Sequence, residues 1–143
     1  MATVADLAAF PLFNTFSDTE LEELANWFEV KTVGEGVTLA REGAAGYSFY
    51  VLVEGSAVVE AENQTVATYD AGDFFGEMAI LGGGRRTATV TTTSPTKLLV
   101  MFGTEFRLLE QSQPALAEKI ATIAQRRHEE LRLLRQNDES PAG

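Results

Sequence analysis

The sequence predicts a mainly β domain, an antiparallel barrel or jelly roll, with helices at both ends. Short β-branched and aromatic runs follow one another between residues 30 and 102, at intervals of roughly ten residues, separated by glycine and Asn/Asp turns. Helical periodicity precedes and follows this region. The chain has 143 residues, of which 45% are hydrophobic. It can therefore bury the core of one domain without disulfides or metals.

A helix is predicted to begin at the start of the sequence Ser17-Asp18-Thr19-Glu20. This is the pattern of a capping box, in which the serine hydroxyl accepts from the Glu20 N–H and the glutamate carboxylate accepts from the serine N–H. We therefore expect residues 1–29 to form an N-terminal helical segment that packs on the strands. Apolar residues recur there at helical spacing, namely Leu21, Leu24, Ala25 and Phe28.

The strand region is predicted to span residues 30–103. Many short strands at even spacing favour an antiparallel arrangement over a parallel sheet. The run Gly76 to Leu81 interrupts this rhythm with Glu, Met, Ala and Leu, which are good helix formers, so we expect one or two helical turns there. The predicted strands include Tyr47–Val53, Ser56–Ala61, Thr65–Tyr69, Thr87–Thr93 and Lys97–Phe102, with turns at residues 54–55, 63–64, 70–73 and 94–95.

Two helices are predicted in the C-terminal segment, residues 104–137. The first runs from Thr104 to about Gln111, and the second, longer one begins at Pro114, a favoured first helical residue. The remaining residues 138–143 are polar and end in Pro-Ala-Gly, which predicts a frayed tail. The apolar stripe of the long helix consists of Leu116, Ile120, Ile123 and Ala124.

Composition excludes several classes of function. A net charge of −10 disfavours nucleic-acid binding, because that binding depends on basic residues that displace phosphate counterions. Without cysteine there is no disulfide, thiolate metal site or iron–sulfur cluster, and the single histidine, His128, cannot supply a catalytic metal site. We therefore expect no metal and no cofactor. The sequence also lacks a signal peptide and a run of about 20 apolar residues, so we expect a cytoplasmic protein without membrane insertion.

The pair Gly76-Glu77 is the first half of a candidate anion site. Glycine lets the backbone approach a ligand, and the N-terminus of the following helical turn offers unpaired N–H groups to a phosphate. The Glu77 carboxylate is then better suited to accept hydrogen bonds from ribose hydroxyls. The alternative is a solvated glutamate in the first turn of a helix, which the helix dipole also favours.

Arg86 is the second half of this candidate site. A guanidinium can bind two phosphate oxygens at once. The following Thr87 offers a hydroxyl to a phosphate or a base, and Ala88 leaves room for a ligand. The alternatives are a salt bridge from Arg86 to Glu77, or an arginine exposed on a loop. The glycines at 82–84 lack the lysine and the strand–loop–helix order of a triphosphate-binding loop.

The complete run from Phe75 to Val90, FGEMAILGGGRRTATV, closely resembles the phosphate-binding cassette of the cyclic nucleotide-binding domain family. That cassette consists of FGE, a small and apolar stretch, and then R-T/A/S-A-T/S. The similarity covers nearly the whole chain and includes both helical ends. It implies a β-roll that encloses the ligand, with a C-terminal helical lid. The upstream segments that look like the family's barrel turns are 35–37, 41–43, 50–52 and 54–55.

The resemblance also implies a role for each cassette residue. It places Glu77 on the ribose 2′-hydroxyl and Arg86 on the cyclic phosphate, with Thr87 meeting the phosphate or the base. Catabolite-regulator relatives use hydroxyls of the long helix to bind the base, whereas the comparable stretch here contains Leu131 and Arg132. These two residues either pack over the purine or belong to a solvated helix end. The other residues expected at the ligand are Phe75, Gly76, Met78, Ala79 and Ala88.

The function implied is that of a regulatory module that binds a cyclic nucleotide, cAMP by resemblance, although the sequence does not separate cAMP from cGMP. We expect no catalysis, and transmission through the long helix to another domain or subunit, including a second copy of the chain. Catabolite regulators continue into a helix-turn-helix domain, whereas an acidic tail follows the helix here, so we expect no nucleic-acid partner. The alternatives are a protein-interaction module that has lost its ligand and a small phosphodiesterase or cupin-like oxygenase, for which metal ligands are lacking.

Overall fold

The computed structural model describes residues 2–8, 10, 13–43, 48–76 and 88–139, and in these residues it contains four helices and eight strands. The helices are α1 (Val4–Ala8), α2 (Asp18–Ala25), α3 (Gly103–Ser112) and α4 (Pro114–Glu139). The strands are β1 (Glu29–Val33), β2 (Thr38–Ala40), β3 (Ser48–Glu54), β4 (Ser56–Ala61), β5 (Gln64–Asp70), β6 (Phe74–Phe75), β7 (Thr89–Thr92) and β8 (Thr96–Phe102).

The strands form two four-stranded sheets. The first sheet has the order β1-β8-β3-β6, and the second has the order β2-β7-β4-β5. Every described strand pair is antiparallel. The prediction of an antiparallel roll with flanking helices is therefore confirmed, as two packed sheets and not as a closed barrel.

The first sheet separates two hydrophobic cores. The helix-side core lies between this sheet and the helices, and the roll core lies between the two sheets. Side chains of successive strand residues point to opposite faces, so one strand serves both cores. In β8, Leu99 and Met101 enter the helix-side core, whereas Leu98 and Val100 enter the roll core.

The predicted helix at Ser17 is confirmed. The Ser17 hydroxyl accepts from the Glu20 N–H at 3.2 Å, and the Glu20 carboxylate accepts from the Ser17 N–H at 2.9 Å. The helix ends at Ala25, with Asn26 as its C-cap, so Phe28 lies beyond the helix that we predicted to carry it. Phe28 is nevertheless only 1% exposed, because it packs between the rings of Phe13 and Phe49.

Most predicted strand and helix limits agree with the structure, and the differences have local causes. The turn predicted at 63–64 lies at Glu62 and Asn63, where φ is +52° and +65°, and Gln64 belongs to β5. Strand β6 was not predicted. Helix α4 begins at Pro114 as predicted and includes Asp138 and Glu139, the first residues of the predicted tail. The helical turns expected at 76–81 fall almost wholly outside the described residues.

Candidate functional site

The structure describes three of the ten predicted ligand-binding residues in full. Phe75 ends β6, Gly76 follows it directly, and Ala88 immediately precedes β7. Leu131 and Arg132 lie in the C-terminal half of α4, where the structure describes the backbone but not these side chains. Outside the described residues lie Glu77, Met78, Ala79, Arg86 and Thr87. Their predicted roles therefore stay predictions.

The ends of the predicted cassette belong to different sheets. Phe75 leaves the first sheet through β6, and Ala88 enters the second sheet through β7. Both residues contact the roll core: Phe75 is 4% exposed, and Ala88 is half-buried against the same cluster. The two described ends of the predicted cassette therefore lie in different sheets but against the same core.

The Phe75 ring stacks with two tyrosine rings, one from each sheet. Its centroid lies 4.9 Å from that of Tyr50, with an interplanar angle of 25°, and 5.2 Å from that of Tyr69, with an angle of 10°. Tyr50 is the direct cross-strand partner of Phe75 in the first sheet, whereas Tyr69 belongs to the second sheet. The first residue of the cassette is thus clamped from both sheets.

Gly76 has a backbone conformation that explains its residue type. It is buried and has φ of +82°, in the left-handed region that L residues with a side chain adopt only at a cost. The chain therefore turns sharply at the point where it enters the predicted cassette. The sequence predicts that this glycine allows a ligand to approach closely, and the structure adds a conformational requirement.

A row of small apolar residues, which was not predicted from the sequence, crosses the inner face of the second sheet. Ala40 pairs with Val90, Val90 with Val59, and Val59 with Ala67. Directly paired residues point to the same face. Ala40, Val90 and Val59 are buried in the roll core, but Ala67, on the edge strand β5, is exposed. Ala57 and Val59, two positions apart in β4 and therefore on one face, were the available signal.

Helix α4 packs on the domain through its N-terminal half. Leu116, Ala117, Ile120 and Ala124 are buried in the helix-side core, which confirms most of the predicted stripe. Beyond Ala124, the described side chains of Gln125, Arg126 and Glu130 are exposed and that of Glu129 is half-buried. Leu131 and Arg132 follow these residues in the chain.

Polar contacts join α4 to the N-terminal segment. The Lys119 Nζ donates to the Glu20 Oε1 at 2.8 Å and to the Thr15 carbonyl oxygen at 3.3 Å, and it lies 5.2 Å from the Phe16 ring centroid. In the linker between α3 and α4, the Gln113 Nε2 donates to the Glu23 Oε2 at 2.7 Å. A displacement of α4 would therefore disturb helix α2.

Two carboxyl groups of the helical elements have lowered pKa values. The hydrogen bond from Lys119 lowers the pKa of Glu20 most, and the Ser17 N–H lowers it further. For Asp6, the hydrogen bond from the Thr3 N–H is the main reason that the pKa lies below its ordinary value of 3.8. Lys97 of β8 contributes to the same shift, with its Nζ 3.4 Å from the Asp6 Oδ1. The Glu20 carboxylate therefore joins α2 to α4, and the Asp6 carboxylate joins α1 to β8.

In the described part of the chain, no three acidic or histidine side chains gather in a way that could hold a metal ion. None of the described helices combines the length and the apolar character that a membrane crossing requires.

The chain is similar in sequence to known proteins. The family model for the cyclic nucleotide-binding domain matches residues 30–113, more than half of the chain. A cyclic nucleotide-gated potassium channel from Rhizobium etli is 34% identical over 118 residues, which are 82% of this chain and 33% of the channel. A cAMP-dependent protein kinase regulatory subunit from Hypocrea atroviridis is 31% identical over 103 residues, which are 72% of this chain and 22% of the subunit. The chain thus spans a third or less of the length of these curated relatives.

A solved structure matches over almost the full length of both chains. It is the N-terminal domain of a transcriptional regulator from Streptomyces coelicolor A3(2), with a TM-score of 0.74 and 26% identity, and the match covers 96% of this chain and 99% of that one. The two-sheet roll, the flanking helices and the residues matched by the family model lead to one assignment. The chain belongs to the cyclic nucleotide-binding domain family.

Proposed function

We propose that this chain is a regulatory module that binds a cyclic nucleotide, with cAMP as its preferred ligand, and that it has no catalytic activity of its own. The observation that carries the proposal is the position of the FGE…RTAT sequence between β6 and β7, with both described ends against the roll core. The chemistry of the cassette residues then suits a phosphate on one side and a ribose on the other. We also propose that residues 1–137 form one domain.

In this proposal Arg86 binds the cyclic phosphate, because a guanidinium can donate two parallel hydrogen bonds to its oxygens. Glu77 accepts from the ribose 2′-hydroxyl. Backbone N–H groups of Gly76, Met78, Ala79 and Ala88 surround the phosphate, and Thr87 donates to the phosphate or to the base. The turn at Gly76 supports this arrangement, because a positive φ redirects the chain where unpaired N–H groups are needed.

The preference for cAMP rests on the relatives. The regulatory subunit from Hypocrea atroviridis is named for cAMP, whereas the channel from Rhizobium etli is named for cyclic nucleotides in general. In our proposal, Leu131 or Arg132 packs over the purine when α4 folds across the site. Replacing Leu131 by alanine should then change the ratio of the cAMP and cGMP affinities, whereas replacing a residue of a solvated helix end would leave it unchanged.

We propose that the binding signal leaves through α3 and α4. The ligand shifts the population of helix positions only to the extent that it binds one position more tightly than the other. The contacts of Lys119 and Gln113 with the N-terminal segment support this route, because they join α4 and its linker to α2. The proposed recipient is another domain, a regulated partner or a second copy of the chain. A cytoplasmic location stays a prediction.

Calorimetric titration with cAMP and cGMP tests the binding proposal. The wild-type chain should bind at least one of them with micromolar or tighter affinity, and Arg86→Ala should weaken this binding at least tenfold, or about 1.4 kcal/mol. Arg85→Ala is the matched control, because Arg85 is the adjacent arginine but lies outside the RTAT motif. It should leave the affinity within about twofold of the wild-type value.

Two outcomes would contradict the proposal. Equal weakening by the two arginine variants would indicate a general charge effect and not a phosphate clamp. If neither nucleotide produces heat or a thermal shift, the chain is a cyclic nucleotide-binding fold that serves as an interaction module without ligand.

A further inference from the structure

The rings of Tyr50, Phe75 and Tyr69 form a continuous stack that joins the two sheets where the predicted cassette begins. Tyr50 and Phe75 belong to the first sheet and Tyr69 to the second, and the centroid distances on the two sides of Phe75 are 4.9 Å and 5.2 Å. The Tyr50 hydroxyl also donates to the Leu39 carbonyl oxygen of β2, at 3.3 Å. Each tyrosine therefore adds a connection between the sheets.

Strand β6 needs these connections, because its own pairing is short. Its described register consists of two pairs, Tyr50 with Phe75 and Val51 with Phe74. The two phenylalanines point to opposite faces: Phe74 contacts Phe49 in the helix-side core at 5.7 Å, and Phe75 enters the roll core. Side-chain packing on both faces thus compensates for the few backbone hydrogen bonds of a two-residue strand.

Gly76 cannot hold the orientation of the chain itself. It has no side chain to pack, and glycine moves readily between backbone conformations. Its observed φ of +82° is therefore maintained by its neighbours. On its N-terminal side this neighbour is Phe75, whose ring is the middle member of the stack.

We infer that Tyr69 and Tyr50 are positioning residues for ligand binding: they hold Phe75 so that the chain enters the cassette in its binding conformation. The inference rests on the proposed function and deepens it, since it assigns a role to residues that do not touch the ligand in that proposal. Without the stack, part of the binding energy must be used to order the entrance of the cassette, and the affinity falls.

The main experiment compares Tyr69→Leu with Tyr69→Phe. Leucine removes the planar ring, whereas phenylalanine keeps it and removes only the hydroxyl. We expect Tyr69→Leu to weaken cAMP binding by the folded protein about tenfold, or about 1.4 kcal/mol, and Tyr69→Phe to bind within about twofold of the wild type. Phe28→Leu is the control for general loss of stability, because Phe28 belongs to the helix-side core. It should unfold more easily and still bind normally when folded.

A second measurement does not depend on the ligand. Amide hydrogen exchange should become faster at Phe74, Phe75 and Gly76 in Tyr69→Leu, while the amides of β8 keep their wild-type protection. This pattern would show a local opening of the cassette entrance, whereas uniform acceleration would indicate only that the whole domain is less stable.

The outcomes separate the inference from the proposed function. If the wild type binds and Tyr69→Leu binds equally well, the positioning role is wrong and the proposed function stands. If Tyr69→Phe binds cAMP as weakly as Tyr69→Leu, the affinity depends on the hydroxyl and not on the ring, which also overturns the inference. If the wild type binds neither cAMP nor cGMP, the proposed function fails, and unchanged exchange at residues 74–76 would overturn the positioning role independently.

Discussion

The helix-side core and the roll core lie on opposite faces of the first sheet and differ in the size and exposure of their residues. Among the described residues, the roll core buries one phenylalanine, Phe75, and two leucines; its other buried members are alanines and valines such as Ala57 and Val59, and its neighbours Tyr50, Tyr69 and Ala88 are only partly buried. The helix-side core, in the described part of the chain, contains six buried phenylalanines, namely Phe10, Phe13, Phe16, Phe28, Phe49 and Phe106.

This difference indicates that the two cores have different roles. Large rings in edge-to-face contact fill the helix-side core and account for much of the burial that stabilises the domain. Small residues line the roll core next to the predicted cassette, where a ligand in the proposed function needs space. We therefore expect truncations on the helix side to cost stability, and enlargements on the roll side to cost binding.

The largest expected effect is that of Phe28→Ala. Phe28 is 1% exposed, so its truncation leaves a cavity between Phe13 and Phe49 and should lower the free energy of unfolding by about 3–5 kcal/mol. Urea denaturation measures this loss. A loss below about 1 kcal/mol would contradict the view that the helix-side core carries the stability.

The next effect concerns Gly55, the single residue between β3 of the first sheet and β4 of the second. It has φ of +101°, and an added Cβ would lie 2.5 Å from the Thr96 Oγ1 and 2.6 Å from the Pro95 carbonyl oxygen. Gly55→Ala should destabilise the protein by about 2–4 kcal/mol, the combined cost of a left-handed alanine and of overpacking.

Gly72→Ala is the matched control for this prediction. Gly72 has a similar φ of +98°, but an added Cβ would meet no atom within 4 Å. Only the backbone penalty of about 1–2 kcal/mol should remain. Equal losses in the two variants would show that the crossing between the sheets tolerates a methyl group.

A smaller effect, on binding alone, is expected for Ala67→Leu. Ala67 is exposed but lies in the row that faces the roll interior, so a larger side chain should change the free energy of unfolding by no more than about 0.5 kcal/mol. We expect it to weaken cAMP binding about tenfold by occupying the space of the ligand, as measured by calorimetry. Thr68→Leu, at the next and outward-facing position of β5, should bind normally. Equal affinities of the two variants would contradict the expectation that enlarging a residue of the roll side weakens binding.

The smallest effect is the pH dependence that Asp6 adds to the helix side. Because its folded pKa lies below the ordinary value of 3.8, the ionised carboxylate contributes stability above pH 3.8, and this contribution is lost as the pH falls through the folded pKa. Asp6→Asn should cost less than about 1 kcal/mol at pH 7, and its stability difference from the wild type should shrink below pH 3.8.

Lys97→Met is the control for the cause of this shift. It removes the ion pair but leaves the hydrogen bond from the Thr3 N–H, the main cause of the lowered pKa. Most of the acid-dependent loss should therefore persist in this variant. If this loss disappears, the ion pair with Lys97, and not the hydrogen bond from the Thr3 N–H, determines the pKa of Asp6.

The elements predicted correctly from the sequence are those with local signals. The capping box at Ser17 and the proline at position 114 give the starts of α2 and α4, and the strand limits of β4 follow from the turns on either side. Strand β6 has no such signal. Its two phenylalanines are a strand because they pair with β3, which lies more than twenty residues earlier in the chain.

For the candidate site, the cassette was predicted from FGE and RTAT, because spacing within a continuous segment is visible without a structure. The stacking of two tyrosine rings with Phe75 could not be predicted from the sequence. Tyr50 and Tyr69 lie in predicted strands and Phe75 begins the predicted cassette, and only the order and register of the strands bring their rings together.

Local chemistry in the sequence was thus sufficient for the mainly β class, the helix starts, the exclusion of cysteine chemistry and the family resemblance of the cassette. The division of the strands between two sheets, the two cores on either face of the first sheet and the aromatic stack required the tertiary structure. The physical reason is that periodicity tells which residues share a face, whereas contacts between faces depend on strand order and register across distant parts of the chain. The ion pair of Asp6 with Lys97, which joins the first helix to the last strand, is one such contact.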